Sequence, residues 1–249
     1  MSQEQRGLGP IIMNDRNTND SCHCTKSEIG VSCLQSFKRA VMGNKVVAIV
    51  GSYRKGGTID QAVEAILEGA RAKGAITQTV QLRNCNIEFC TNCRHCMQEP
   101  GETRGKCLQQ DDMEPILAGI ESADAVVLGA PVNAYNTSAL FRRFMERLVG
   151  FGYWPWGQNA PKSRSKLKPR KAVLVASAAM PGFLIPLATG APRALRTAAG
   201  LMGAKPVGRL WIGLAANEEH QKLSPHTRQR ARQLGAKLAS AGLTGAAQH

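Results

Sequence analysis

From Lys45 onward the chain becomes regular. Val46-Val-Ala-Ile-Val50 is an unbroken apolar run closed by Gly51, the pattern of a strand covered on both faces rather than on one. Beyond it Ile59, Val63, Ile66 and Leu67 recur at helical spacing, so residues 58–73 read as an amphipathic helix stopped by Gly74. The alternation then repeats. Strands are expected at 77–82, 125–128, 172–176 and 207–212, and helices at 114–122, 138–149, 191–202 and 224–241. Strand and helix in strict succession imply a five-stranded parallel sheet with right-handed crossovers and helices on both faces, an α/β class. In such sheets ligands bind beyond the carboxyl ends of the strands, where the strand order reverses. The loops after the strands are therefore where chemistry is expected.

Residues 1–43 show no sustained periodicity and read as an extension with at most one short helix over 32–42, leaving residues 44–249 as the domain. Aromatic content is only 5%, so the core is expected to be built of Ala, Val, Leu and Ile. Residues 1–20 lack an apolar signal segment and no window approaches 18 apolar residues, which points to a cytoplasmic chain without a membrane span. Its eight cysteines then read as thiols or metal ligands rather than disulfides. The net charge of +14 is uneven. One run comprises Lys162, Arg164, Lys166, Lys168, Arg170 and Lys171, and another, Arg228, Arg230, Arg232 and Lys237, lies on the closing helix. With no helix-turn-helix, zinc-finger or RRM pattern beside them, they read as a solvated loop and helix face that draw in anionic cofactors, and nucleic acid is not the expected partner.

The first loop is Gly51-Ser-Tyr-Arg-Lys-Gly-Gly-Thr58. Small residues, hydroxyls and two cations at the start of a helix suit a phosphate, with the Gly56 and Gly57 N–H groups, the Ser52 and Thr58 hydroxyls and Arg54 as its partners. Spacing excludes two nucleotide motifs. Gly57 is followed by Thr58 where a Walker loop needs Lys, and Tyr53 stands where a dinucleotide fingerprint needs Gly. A single-phosphate cofactor, FMN, fits better.

At these residues the chain resembles the NAD(P)H-dependent FMN reductase and iron-sulfur flavoprotein family, whose fold is flavodoxin-like. The family loop reads roughly G-S-P-R-K-x-G-N-T; here Tyr replaces Pro and one residue is missing before Thr58. A second match begins at Pro131 and runs through Ala139 to Phe144-Met-Glu-Arg147, with Arg142 at the family Lys and Glu146 at its Asp. The resemblance covers residues 45–215. It implies that Ser52, Arg54, Lys55, Gly57 and Thr58 meet the FMN phosphate, that Pro131, Val132, Asn133, Ala134 and Tyr135 lie along the isoalloxazine, and that Ser177 and Gly182 reach its far edge.

Cys90-Thr-Asn-Cys93-Arg-His-Cys96 follows the second strand, with Cys107 and Asp111-Asp112-Met113 beyond it, in a cysteine-rich loop over 85–111. C-x-x-C-x-x-C matches the first three ligands of a ferredoxin-type run, and three cysteines in seven residues imply chemistry rather than packing. The resemblance implies a [4Fe–4S] cluster on Cys90, Cys93, Cys96 and Cys107. Ten residues separate the last two, more than those relatives use, but extra loop length costs little entropy. Metal-free or redox-active thiols, as in other FMN reductases, and structural zinc with His95 are the alternatives. Cys85 reads as a core thiol, and His23 and His95 as exposed.

By the same resemblance, reduced nicotinamide stacks on the flavin and gives hydride to N5, and a quinone, nitro or azo compound, metal oxyanion or flavin then takes its place, in a dimer or tetramer. Such exchange needs no acid–base triad, and none is evident. Phe151–Trp156 and Phe183–Leu187 are expected to roof the ring or join subunits. An electron carrier fed by a ferredoxin-like partner is the alternative, and a basic thiol-bearing binding module without flavin is a third reading.

Overall fold

The computed structural model describes residues 44–164 and 170–240. Expectations for residues 1–43, including Cys22, Cys24 and Cys33, fall outside them, as do Lys166, Lys168 and Ala241. Five long strands are β1 (Lys45–Val50), β2 (Ile76–Gln81), β3 (Ala125–Asn133), β4 (Arg170–Ser177) and β5 (Ala204–Ile212). Between and after them run α1 (Thr58–Arg71), α2 (Met113–Glu121), α3 (Ala139–Glu146), α4 (Ala191–Leu201) and α5 (Pro225–Ser240). The strands pair in parallel in the order β2-β1-β3-β4-β5, the flavodoxin-like order. The chain leaves β1 toward β2 on one side and returns to β3 on the other. The sheet therefore reverses between the carboxyl ends of β1 and β3.

Successive side chains of a strand point to opposite faces. Val46, Ala48 and Val50 accordingly join a core with Ile59, Val63 and Ile66 of α1 and Leu238 of α5. Val47 and Ile49 join the opposite core with Leu117, Phe141 and Leu195 of α2, α3 and α4. This double coverage is why β1 carries no polar alternation. On the first face α1 and α5 cross at two glycines. A Cβ on Gly235 would lie 1.7 Å from the Ile66 carbonyl oxygen, and one on Gly69 2.0 Å from that of Arg232.

Two of the departures from the sequence expectation bear on the sites. β3 runs on through Gly129, Ala130 and Pro131 to Asn133 instead of stopping at 128, with Pro131 in register with Ser177. Gly129 is a strand residue pressed by a helix: its Cβ would stand 2.9 Å from Val63 Cγ2 and 3.0 Å from Ile59 Cγ2. α3 ends at Glu146 and tightens into a 3₁₀ turn over Arg147–Phe151 instead of continuing to 149. That turn offers the Gly150 carbonyl to the Gly105 N–H at 3.0 Å, and so docks the cysteine loop.

Candidate functional site

At the reversal point between β1 and β3 lies a cleft of about 300 Å³, within the range of small-molecule sites. Ser52, Tyr53, Arg54, Gly57, Thr58 and Ile59 line one side, and Pro131, Val132, Asn133 and Ser177 the other, with Ala178, Ala179, Ala215 and Ala216 closing it. The structure thus brings together eight of the residues expected from the sequence. Lys55, Ala134, Tyr135 and Gly182 do not line the cleft. Lys55 is exposed, and Gly182 packs against the backbone of Trp211 and Gly213. Ala134 and Tyr135 form the tip of a hairpin whose return strand is Asn136–Thr137. Both have positive φ, +45° and +61°, at a turn that favours Asn and Gly, and Tyr135 is 72% exposed.

The first loop is held by groups that motif matching did not single out. Arg83, beyond β2, grips Asp60 of α1 through two bonds of 3.1 and 2.9 Å and donates to the Ser52 carbonyl at 3.2 Å. Asp60 accepts the Gly56 N–H at 2.9 Å. The Gly57 N–H turns to the Arg54 carbonyl at 3.3 Å. The two glycine amides are therefore engaged within the loop, in contrast to the sequence expectation. The donors left facing outward are at the helix start. No side chain caps α1, and among the described residues no group accepts from the N–H of Thr58 or Ile59. Helix starts leave such groups for an anion. Arg54 donates to the Glu219 carbonyl at 3.2 Å, and Gln61 bonds both sides of Lys222 through Gln221 and Leu223, so the segment after β5 clasps the loop from above.

The cysteine loop forms a second site. Cys90, Cys93, Cys96 and Cys107 line one pocket together with Arg104, Met113 and Arg147. The ten-residue gap closes because Gly105 lies against the Cys96 carbonyl, where a Cβ would approach to 1.8 Å. Asn92 and Arg94 take left-handed backbone conformations, φ +54° and +59°, one on each side of Cys93. Among the described residues no three His, Cys, Asp or Glu side chains are placed to hold one metal ion. Burial pushes the Cys96 thiol up, with Cys107, Cys90 and Cys93 adding to it. The exposed Cys93 thiol is lowered by the His95 N–H and the Thr91 hydroxyl. Half-buried Cys85 packs on the core, and burial raises its thiol as well.

Two arginines, Arg164 and Arg94, hold this loop. Arg164 donates to the carbonyls of Gly150, Gly152, Gly101 and Cys96. Outside the loop, Arg170 at the start of β4 caps the carbonyls of Ile120 and Glu121 in α2 and of Met202 just after α4. Two charges of the basic run are thus structural, which differs from the expected solvated loop. Arg94 stacks between Trp154 and Trp156, 3.9 and 4.3 Å from the ring centroids. The 151–156 segment therefore covers the cysteine loop rather than the cleft. Among the described residues no helix is long and apolar enough to cross a membrane.

Residues 44–216 match the family model described as NADPH-dependent FMN reductase. An iron-sulfur flavoprotein of Archaeoglobus fulgidus is 32% identical over 111 residues, 45% of this chain and 48% of that protein. The chain spans about half the length of the curated relatives it matches. Among solved structures, an NAD(P)H:quinone oxidoreductase from Methanothermobacter marburgensis superposes with a TM-score of 0.56 at 19% identity, covering 79% of this chain and 99% of that one. An azoreductase from Bacillus anthracis gives 0.60 at 13% identity over 78% and 99%. At such identities these two speak to the fold alone.

Proposed function

Because the chain belongs to the NADPH-dependent FMN reductase family, we propose that it is an FMN-dependent oxidoreductase carrying reducing equivalents from NAD(P)H to a quinone, nitro or azo compound, metal oxyanion or free flavin. The observation that carries this reading is the cleft at the β1–β3 reversal, which opens onto a helix start whose N–H groups lack acceptors. The residues present fit FMN. The Thr58 and Ile59 N–H groups and the Arg54 guanidinium supply donors and charge for its phosphate, while the Ser52 hydroxyl, bonded to the Arg54 carbonyl and N–H, shapes the loop around it. Pro131, Val132, Asn133 and Ser177 form an uncharged wall along which a flat ring can lie. When bound, FMN supplies the hydride-accepting and hydride-donating chemistry, and the protein contributes position and access. Arg83 and Asp60 hold the loop in shape, so that its donors are preorganised.

The test is purification in the presence of FMN, followed by an absorption spectrum and anaerobic addition of NADPH. Two visible flavin bands that bleach promptly support the reading. A colourless protein overturns it.

A second cofactor is favoured by one observation, the four thiols around one pocket. A [4Fe–4S] cluster joins each thiolate to a different iron, whereas zinc needs its donors around one ion, an arrangement absent among the described residues. Turns of the kind at Asn92 and Arg94 aim backbone N–H groups inward and are common around anionic clusters. Cys90, Cys93, Cys96 and Cys107 would hold the cluster. If it passes electrons from a ferredoxin-like protein, the flavin bleaches with that donor and not with NADPH. Such thiols suit a reducing compartment, the cytoplasm. Phe183 and Leu187, 73% and 80% exposed, are the apolar surface through which copies would associate as a dimer or tetramer.

A further inference from the structure

Beneath the cysteine loop lies the most deeply buried ion pair described. Arg147 and Asp111 have side chains only 2% and 1% exposed, with Arg147 Nη1 2.5 Å from Asp111 Oδ2 and Nη2 3.3 Å from Oδ1. Burying two charges is expensive, and an apolar pair of the same volume often serves stability as well or better. The pair therefore calls for a reason beyond holding the fold. Its other bonds supply one. Arg147 Nη1 donates to the Glu88 carbonyl at 2.8 Å, and Asp111 accepts the Glu88 N–H at 2.7 Å and the Met113 N–H at 3.0 Å. These contacts tie the irregular segment that enters the cysteine loop at Glu88 to the start of α2, which leaves it. Nη2, besides its bond to Oδ1, also donates to Cys107 Sγ at 3.5 Å. The Asp111 carboxylate also accepts backbone N–H groups, and of the pair it is the cationic member, Arg147, that bonds the sulfur.

We infer that Arg147 is a positioning residue for Cys107 and an electrostatic regulator of whatever electron acceptor the four thiolates hold, making that acceptor easier to reduce. This rests on the cluster reading given above. Cys107 is the thiol farthest along the chain from the other three, and neither the C-x-x-C turns nor their backbone amides orient it. Arg147 does so by an N–H···S bond. A charged donor on a thiolate draws electron density from the metal side and stabilises the more negative, reduced state over the oxidised one. Reduction here adds one electron and makes or breaks no bond. Hydrogen bonds to cluster sulfurs are an established means by which proteins raise potentials.

Three proteins are compared after anaerobic reconstitution with iron and sulfide: wild type, Arg147→Lys, and the double variant Arg147→Met with Asp111→Asn. The double variant removes both charges together, so no lone carboxylate is left buried. An Asn oxygen can still accept one N–H. Each is measured for iron per chain, thermal midpoint without metal, and cluster midpoint potential by dithionite titration followed by electron paramagnetic resonance. At equal iron content, the double variant should show an equilibrium constant for one-electron reduction about tenfold lower, equivalent to about 59 mV. Arg147→Lys, which keeps the charge and loses the fork, should fall between. Equal potentials at equal occupancy would show that the pair only holds the loop, and the inference fails while the cluster stands. Loss of iron in the double variant, with its metal-free melting unchanged and Arg147→Lys restoring occupancy, supports the positioning half. If wild type itself takes up no iron, the cluster reading and this inference fall together, and the flavin spectrum remains a separate measurement.

Discussion

Replacing Arg83 with Met tests the idea that the first loop is held open for an anion by a neutralised carboxylate. Asp60 lies in the first turn of α1, with its carboxylate bonded to the Gly56 N–H and gripped twice by Arg83, and the two side chains are 13% and 15% exposed. Without Arg83, a carboxylate charge would stand alone at the helix end where a phosphate should bind. At an effective dielectric near 20, two unit charges about 8 Å apart interact by roughly 2 kcal/mol. That is roughly a 30-fold rise in Kd for FMN. Asp60→Asn removes the charge from the other side. Its amide oxygen can still accept the Gly56 N–H, and Arg83 becomes an uncompensated cation beside the phosphate. FMN should then bind as tightly as in wild type or several-fold tighter. Both constants can be read from quenching of flavin fluorescence at low salt and again at 0.5 M salt, where the difference should shrink. Thermal melts of the flavin-free proteins provide the control, since both variants also lose a partly buried pair. If the two substitutions weaken FMN binding in the same direction and by similar factors, the pair acts only by shaping the loop and the charge argument is wrong.

Three further outcomes follow from particular contacts. Gly235→Ala should separate α1 from α5, costing about 1–3 kcal/mol and lowering the melting midpoint by several degrees, whereas Gly200→Ala on α4, with nothing within 4 Å of the new Cβ, should raise it. Burial works to raise the Asp111 carboxyl, but Arg147 and the Glu88 and Met113 N–H groups outweigh it and hold it below its usual range. A depressed carboxyl stabilises the fold above its unfolded value, about 3.9, and that contribution is lost as pH falls through the lower folded value; melts from pH 6 to pH 2 should show the decline in wild type and a shallower one in Asp111→Asn. In metal-free protein, iodoacetamide at neutral pH should label exposed Cys93 first and Cys96 last, because the His95 N–H lowers the former and burial raises the latter; peptide mass spectrometry over time reads the order, and equal rates would contradict the geometry.

Hydrophobic periodicity was enough to place every long strand and helix of the described sheet, because a strand covered on both faces and a helix covered on one leave unmistakable patterns. The parallel pairing, and the expectation of a ligand beyond the strand ends, follow from that alternation, whereas the strand order does not. What escaped the sequence lies where a residue type has two uses. Gly129 and Pro131 look like breakers, yet β3 passes through them, since only the approach of Val63 and Ile59 explains the missing side chain. Arg164 and Arg170 look like a solvated basic run until the carbonyls they cap come within reach. Arg83 and Asp60 are 23 residues apart and belong to no motif, so only the fold unites them. The same holds for the cysteines. Their spacing alone announced chemistry at Cys90, Cys93 and Cys96. That Cys107 joins them across ten residues was decided by Gly105 against Cys96 and by the buried Arg147, contacts that exist only once the chain has closed on itself.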